Sequence, residues 1–206
     1  PALAAGCSMI LKASEETPGT AVSLVRALSD AGLPDGVVNL VFGVPAEISE
    51  KMFASEIVRK VSFTGSVPVG KQLAGLAASG LKRCTFELGG HSPSIVCEDA
   101  DLESALSTLT AFKFRNSGQV CIAPSRFFVH RSNYDAFVDG FVKAAKNQHL
   151  GNGLEEDTTM GPMSNVRRIE SMEYLVQDAV TKGAKILTGG KRRGDVGFFW
   201  EPTILV

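Results

Sequence analysis

Short apolar runs alternate with helical apolar stripes along most of this chain. Residues 9–12 and 37–41 read as strands, and between them Ala21, Leu24, Val25 and Leu28 recur at helical spacing. Thr17 followed by Pro18 predicts an N-cap with proline at the first helical position, and Gly32 and Pro34 predict the stop. Residues 61–64 and 84–88 read as further strands, with a helical stretch opening at Gly65 between them. The alternation continues with a strand at 94–97, a helix marked by Leu102, Ala105, Leu106 and Leu109, and a strand at 127–130. Tyr134, Phe137, Val138, Phe141 and Val142 fall at i, i+3, i+4, i+7 and i+8, the apolar face of an amphipathic helix. Ser164 is the expected cap of a last helix running through Ile169, Met172, Val176 and Val180 to Gly183; residues 184–187 and 203–206 read as strands. Such alternation predicts an α/β fold, a parallel sheet covered by helices.

Composition narrows the class. Of 206 residues, 44% are hydrophobic, enough to bury a core. The 21 basic and 22 acidic residues are dispersed, with a net charge of −1, so no basic stripe points to nucleic acid. Apolar runs fall well short of the ~20 residues of a membrane helix. Neither nucleic acid nor membrane is an expected partner. Cys7, Cys84, Cys97 and Cys121 form no C-x-x-C pair and are too few for a secreted disulfide scaffold. A reducing compartment is the simpler reading: the cytoplasm, or the mitochondrial matrix in a eukaryote. The three histidines are far apart and suggest no metal site. A start at Pro1-Ala2-Leu3 without Met reads as a piece of something longer.

Four segments carry candidate chemistry. Cys121 closes Gly118-Gln119-Val120-Cys121, and a thiol there can attack a carbonyl once ionised. A buried structural cysteine would look the same, and that reading is kept for Cys7, Cys84 and Cys97. Glu87, ending a strand-like run before Leu88-Gly89-Gly90, sits where open α/β sheets bind ligands, and suits a general base; a solvated strand end is the alternative. Gly65-Ser66-Val67-Pro68-Val69-Gly70 lies between strand and helix, where backbone N–H groups can hold a pyrophosphate. It approaches a Walker A loop, but Gln72 replaces the magnesium-binding hydroxyl, which leaves a P-loop nucleotide-binding protein as a rival reading. Lys12 and Glu15, at a strand end, suit the two hydroxyls of a ribose. A cysteine hydrolase would require His91, His130 or His149 beside Cys121.

In order and approximate spacing, these segments resemble the aldehyde dehydrogenase superfamily. Glu87-Leu88-Gly89-Gly90 paired with Gly118-Gln119-Val120-Cys121 is the specific signature, supported by residues 1–7, 32–39, Gly151-Asn152 and Met160-Gly161-Pro162. The resemblance covers essentially the whole chain. It implies residues 1–89 as the C-terminal part of an NAD(P)-binding domain with a Rossmann-like sheet. Residues 90–206 would be the N-terminal part of a second, catalytic α/β domain.

The resemblance also implies roles. Cys121 would form a thiohemiacetal and then, after hydride transfer to the nicotinamide, a thioester. Glu87 would activate the hydrolytic water, and the Cys121 backbone N–H would supply half an oxyanion hole. Lys12 and Glu15 would hold the adenosine ribose, Gly65 and Ser66 the pyrophosphate, and Leu88 would border the nicotinamide. NAD is the expected cofactor, with NADP as the alternative, because the Glu15 carboxylate repels a 2′-phosphate. Lys113-Phe114-Arg115-Asn116-Ser117-Gly118-Gln119 resembles the succinate-semialdehyde dehydrogenases, in which Arg115 would clamp the distal carboxylate of a small aldehyde. Ala123 stands where some of these enzymes carry a redox-switching cysteine, so no such switch is expected. A homodimer or homotetramer is the implied assembly. An asparagine upstream and a nicotinamide-ribose glutamate downstream belong to the family pattern but lie outside these residues. An inactive fragment or pseudoenzyme of the same fold is therefore the main alternative.

Overall fold

The computed structural model describes all 206 residues. They divide into two compact units, Pro1–Leu88 and Gly89–Val206.

The first unit contains two β-α-β units. β1 (Met9–Lys12) is followed by α1 (Pro18–Asp30) and pairs in parallel with β2 (Val38–Val41), Met9 opposite Val38 and Lys12 opposite Val41. Pro18 begins α1 as expected, although Thr17 makes no side-chain cap bond, and Gly32 at φ +85° ends it. β3 (Lys60–Gly65), α3 (Val67–Ser79) and β4 (Arg83–Leu88) form the second unit, again parallel. Between them lies α2 (Pro45–Ala54), unmarked in the sequence reading because Ile48, Met52 and Phe53 make too short a stripe. Phe53, Leu73 and Ala77 are buried and gather Val61, Phe63, Cys84 and Phe86 beneath α3, with Phe63 and Phe86 meeting edge-on at 6.4 Å. Lys82 donates to the carbonyls of Ser55 (2.7 Å) and Val58 (2.8 Å), tying the turn into β4 to the loop after α2.

The second unit opens with a third β-α-β. β5 (Ser92–Val96), α4 (Leu102–Phe114) and β6 (Pro124–Val129) give one more parallel pair. Asp101 caps α4, its carboxylate accepting from the N–H groups of Glu103 and Ser104. α5 (Tyr134–Lys146) lays the anticipated face inward: Phe137 and Phe141 are buried with Val96, and their rings stack at 5.5 Å. Phe141 also meets Phe127 at 4.9 Å and Phe114 at 6.0 Å. α6 (Val166–Thr181) is capped by Asn165, whose side chain accepts from the Arg168 N–H; Ser164 lies one residue outside. Both residues are good caps, so sequence alone does not separate them. β7 (Ile186–Thr188) and β8 (Ile204–Leu205) pair antiparallel, which departs from the all-parallel expectation. The chain returns here through the loop holding buried Trp200, without a helical crossover. The strands form four two-stranded ladders instead of one continuous sheet.

No helix is long and apolar enough to cross a membrane, and no three His, Cys, Asp or Glu side chains gather as a metal site.

Phe141, on α5, packs against Phe114 at the end of α4 and Phe127 of β6, so its truncation should be severe. Phe141→Ala is expected to cost about 3–5 kcal/mol, measured by denaturant unfolding. A loss under about 1 kcal/mol, the range of an exposed substitution, would contradict the packing described.

Candidate functional site

The site residues of the first unit stand at strand ends. Lys12 is the last residue of β1, half-buried, and its ammonium pairs with the exposed Glu15 carboxylate three residues on. That hydrogen bond is the main cause holding the Glu15 carboxyl below the usual glutamate range, helped by the Glu15 backbone. A depressed carboxyl keeps the pair intact down to acidic pH and releases it only as pH falls through the folded-state pKa. The two groups present a cation and an anion side by side, a donor and an acceptor fit for adjacent hydroxyls.

Gly65 ends β3, paired with Leu88, where the sequence suggested that it opens a helix. A Cβ at Gly65 would lie 2.4 Å from the tip of the Phe63 ring, which would have to shift to admit any other residue. Ser66 is the N-cap of α3, extended (φ −77°, ψ 150°) and exposed; its hydroxyl makes no cap bond and is free for a ligand. Pro68 lies in the first helical turn and removes one donor, leaving the other first-turn N–H groups to an anion. Gly70, Lys71 and Gln72 lie inside α3, so no Walker-type loop forms, and the P-loop reading falls on backbone geometry. Gly70 is glycine because Leu88 packs against it: a Cβ would meet Leu88 Cδ2 at 2.8 Å. That contact seats the end of β4. Glu87 then points away from the Phe86 and Leu88 side and is exposed. The Ser66 hydroxyl and the first-turn amides lie together at the start of α3, and the Lys12–Glu15 donor–acceptor pair lies at the end of β1.

In the second unit, the backbone after α4 turns left-handed. Asn116 (φ 49°), Ser117 (φ 56°) and Gly118 (φ 74°) all occupy the αL region. Gly118 is doubly constrained, since a Cβ would also lie 3.2 Å from the Lys113 carbonyl. The turn releases Cys121 onto the surface, where its thiol is exposed and free. That excludes the buried structural reading for Cys121. Cys7 and Cys97 are exposed too, so the buried reading fails for them, and only Cys84 is partly covered. The Cys121 backbone N–H makes no internal hydrogen bond. Gly90 runs close by, a Cβ there lying 4.0 Å from the Cys121 carbonyl oxygen. Arg115 ends α4 with an exposed guanidinium that makes no internal ion pair. Lys113, two residues earlier, is half-buried, and burial pushes its ammonium pKa down.

His91 pairs with Ser125 at 3.2 Å and His130 with Ser132 at 2.8 Å, and Cys121 has no histidine partner, against a cysteine-hydrolase dyad. One residue escaped the sequence reading. Gln119 lies within the motif, but its residue type alone points to no role. Its amide donates to the carbonyls of Asn116 (3.3 Å) and Pro162 (3.4 Å), and its oxygen accepts from the Ser164 N–H at 3.0 Å.

Comparison with known proteins bears on the family of the chain. The chain is 48% identical over 204 residues to 4-(hydroxymethyl)benzenesulfonate dehydrogenase TsaD1 of Comamonas testosteroni, covering 99% of the chain and 42% of that protein. It is 45% identical to the mitochondrial succinate-semialdehyde dehydrogenase of Arabidopsis thaliana, covering 100% of the chain and 39% of that protein. A crystal structure of succinate-semialdehyde dehydrogenase from Burkholderia pseudomallei superposes with a TM-score of 0.97 at 43% identity, over 100% of this chain and 43% of that one. The chain thus spans about two fifths of the length of these relatives. Residues 1–206 match the Aldehyde dehydrogenase family throughout. With the α/β fold, the strand-end pairs and the surface thiol already described, the chain belongs to the aldehyde dehydrogenase family.

Proposed function

We propose that the intact protein oxidises a small anionic aldehyde, succinic semialdehyde above others, to its acid through Cys121, with NAD as oxidant. The carrying observation is the exposed Cys121 thiol with a free backbone N–H beside it, six residues beyond the unpaired Arg115.

The chain's own residues support each step. Cys121 Sγ, as thiolate, forms a C–S bond to the carbonyl carbon, and the Cys121 N–H donates to the oxygen as it gains negative charge. A bound nicotinamide supplies the hydride acceptor. Cys121 then carries a thioester. Glu87 takes a proton from water as the water oxygen adds to the thioester carbonyl, and expulsion of the thiolate releases the acid. The cofactor itself would rest on Lys12 and Glu15 at the adenosine ribose, on Gly65, Ser66 and the α3 first turn at the pyrophosphate, and beside Leu88 at the nicotinamide. Arg115 suits a bidentate grip on a distal anion. The names of two relatives contain such a group, a sulfonate in one and a succinate in the other. Four unpaired thiols suit a reducing compartment, the cytoplasm or mitochondrial matrix. Assembly as a homodimer or homotetramer belongs to the same reading.

Two experiments on the intact protein test it. Cys121→Ala should abolish turnover, whereas Glu87→Gln should keep the first-turnover NADH burst and slow hydrolysis by about 10²–10⁴. Normal turnover by Cys121→Ala, or loss of the burst in Glu87→Gln with hydrolysis unaffected, contradicts the assignments.

A substrate and cofactor panel tests specificity. Losing a charge-assisted hydrogen bond of about 1.5–3 kcal/mol, Arg115→Ala should lower kcat/KM for succinic semialdehyde by roughly one to two orders of magnitude and leave propanal nearly unchanged. NAD should outperform NADP, and Glu15→Ser should narrow that gap. Equal losses for both aldehydes would reduce Arg115 to a structural role, and an NADP preference would overturn the cofactor reading.

A further inference from the structure

The left-handed turn before Cys121 is an expensive conformation. Non-glycine residues at positive φ are strained and persist where the surroundings impose them. Asn116 and Ser117 occupy it in succession. What imposes it is a strap formed by residues 160–164. Ser117, 9% exposed, donates its hydroxyl to the Gly161 carbonyl at 2.6 Å. Gln119 donates to the Pro162 carbonyl and accepts from the Ser164 N–H, while its amide also closes the turn on the Asn116 carbonyl. Asn116 returns the bond, its amide donating to the Gln119 carbonyl at 3.2 Å.

The strap is itself fixed. Met160 is buried with Phe114 and Ala145, and Met163 with Ile169, Val176 and Trp200. The Met163 N–H donates to the Phe198 carbonyl at 2.8 Å, and Gly151 donates to the Met160 carbonyl at 3.2 Å. Two separate apolar clusters therefore hold the two ends of Met160-Gly161-Pro162-Met163, and the polar groups between them hold the turn.

We propose that Gln119, seconded by Ser117, is the positioning residue for Cys121: its side-chain amide locks the nucleophile's turn to the 160–164 strap. Neither residue touches substrate. They act by fixing where the thiol and its neighbouring N–H stand, two residues beyond Gln119. A displacement of about 1 Å at a reacting atom is enough to cost ~10²-fold in rate. The inference rests on the reading of Cys121 as the nucleophile, and the test separates the two.

The test uses the intact protein and follows the first-turnover NADH burst, KM for NAD, iodoacetamide alkylation of Cys121 and the thermal melt. Gln119→Ala should slow the burst by roughly 10- to 100-fold and change the alkylation rate. KM for NAD should stay within about twofold, because the cofactor contacts proposed above lie in the first unit. Ser117→Ala should act in the same direction. Should Gln119→Ala fail to fold, Gln119→Glu carries the test. It keeps the volume and still accepts from the Ser164 N–H, but sets a carboxylate against the Asn116 and Pro162 carbonyls, and the same loss of burst rate is expected. A burst and an alkylation rate unchanged in the folded Gln119 variant overturn the positioning role. If Cys121→Ala itself turns over normally, the nucleophile reading falls first and the positioning role with it.

Discussion

One stretch of backbone governs the second unit: the left-handed turn from Asn116 to Gly118. An L-residue enters that region only against steric resistance from its own Cβ. The chain overcomes it with a serine hydroxyl aimed at one carbonyl, a glutamine bridging three backbone groups, and a glycine where a Cβ would crowd the Lys113 carbonyl. Everything proposed for this unit hangs from the turn. Arg115 is the residue at which α4 gives way to it, and Cys121 is carried out on its far side. Phe114, buried at the α4 end, anchors the turn to the aromatic cluster around Phe141.

The first unit solves a different problem, presenting polar groups where parallel strands stop. Strand pairing leaves Lys12 and Glu87 each at or next to a strand's C-terminal end, with alternate side chains packed beneath helices. Small residues make the packing close. Gly70 admits Leu88 against α3, and Gly65 leaves room for the Phe63 ring. The Lys12–Glu15 pair is local, formed within one turn of chain, and needs no tertiary support to keep Glu15 ionised.

Periodicity made most of this legible in advance. The Phe137–Phe141 stripe, the Pro18 start and the strand runs at Met9, Val61 and Cys84 are local signals, and local structure followed them. What escaped was decided by contacts distant in sequence. The antiparallel return of β8 onto β7 depends on the loop around Trp200, which no local pattern announces. The Asn165 cap was hidden behind an equally suitable Ser164, whose own N–H serves Gln119 instead. Gly65 ends β3 although the sequence pattern points to a helix start, because glycine marks a boundary without saying on which side it lies. Of the candidate site, the residue types were readable as a motif. Their support was not: Gln119 reaches across more than forty residues to Pro162 and Ser164, and a hydrogen bond to a backbone group leaves no signature in its partner's identity.

The central claim is that Cys121 alone among the four cysteines is the covalent nucleophile. Acid-quenched intact protein, mixed with NAD and succinic semialdehyde and digested for peptide mass spectrometry, tests it most directly. The account predicts a succinyl thioester on the peptide containing Cys121 and none on those containing Cys7, Cys84 or Cys97. Acylation of another cysteine, or turnover with no trapped adduct on Cys121 even in the Glu87→Gln protein, would contradict it.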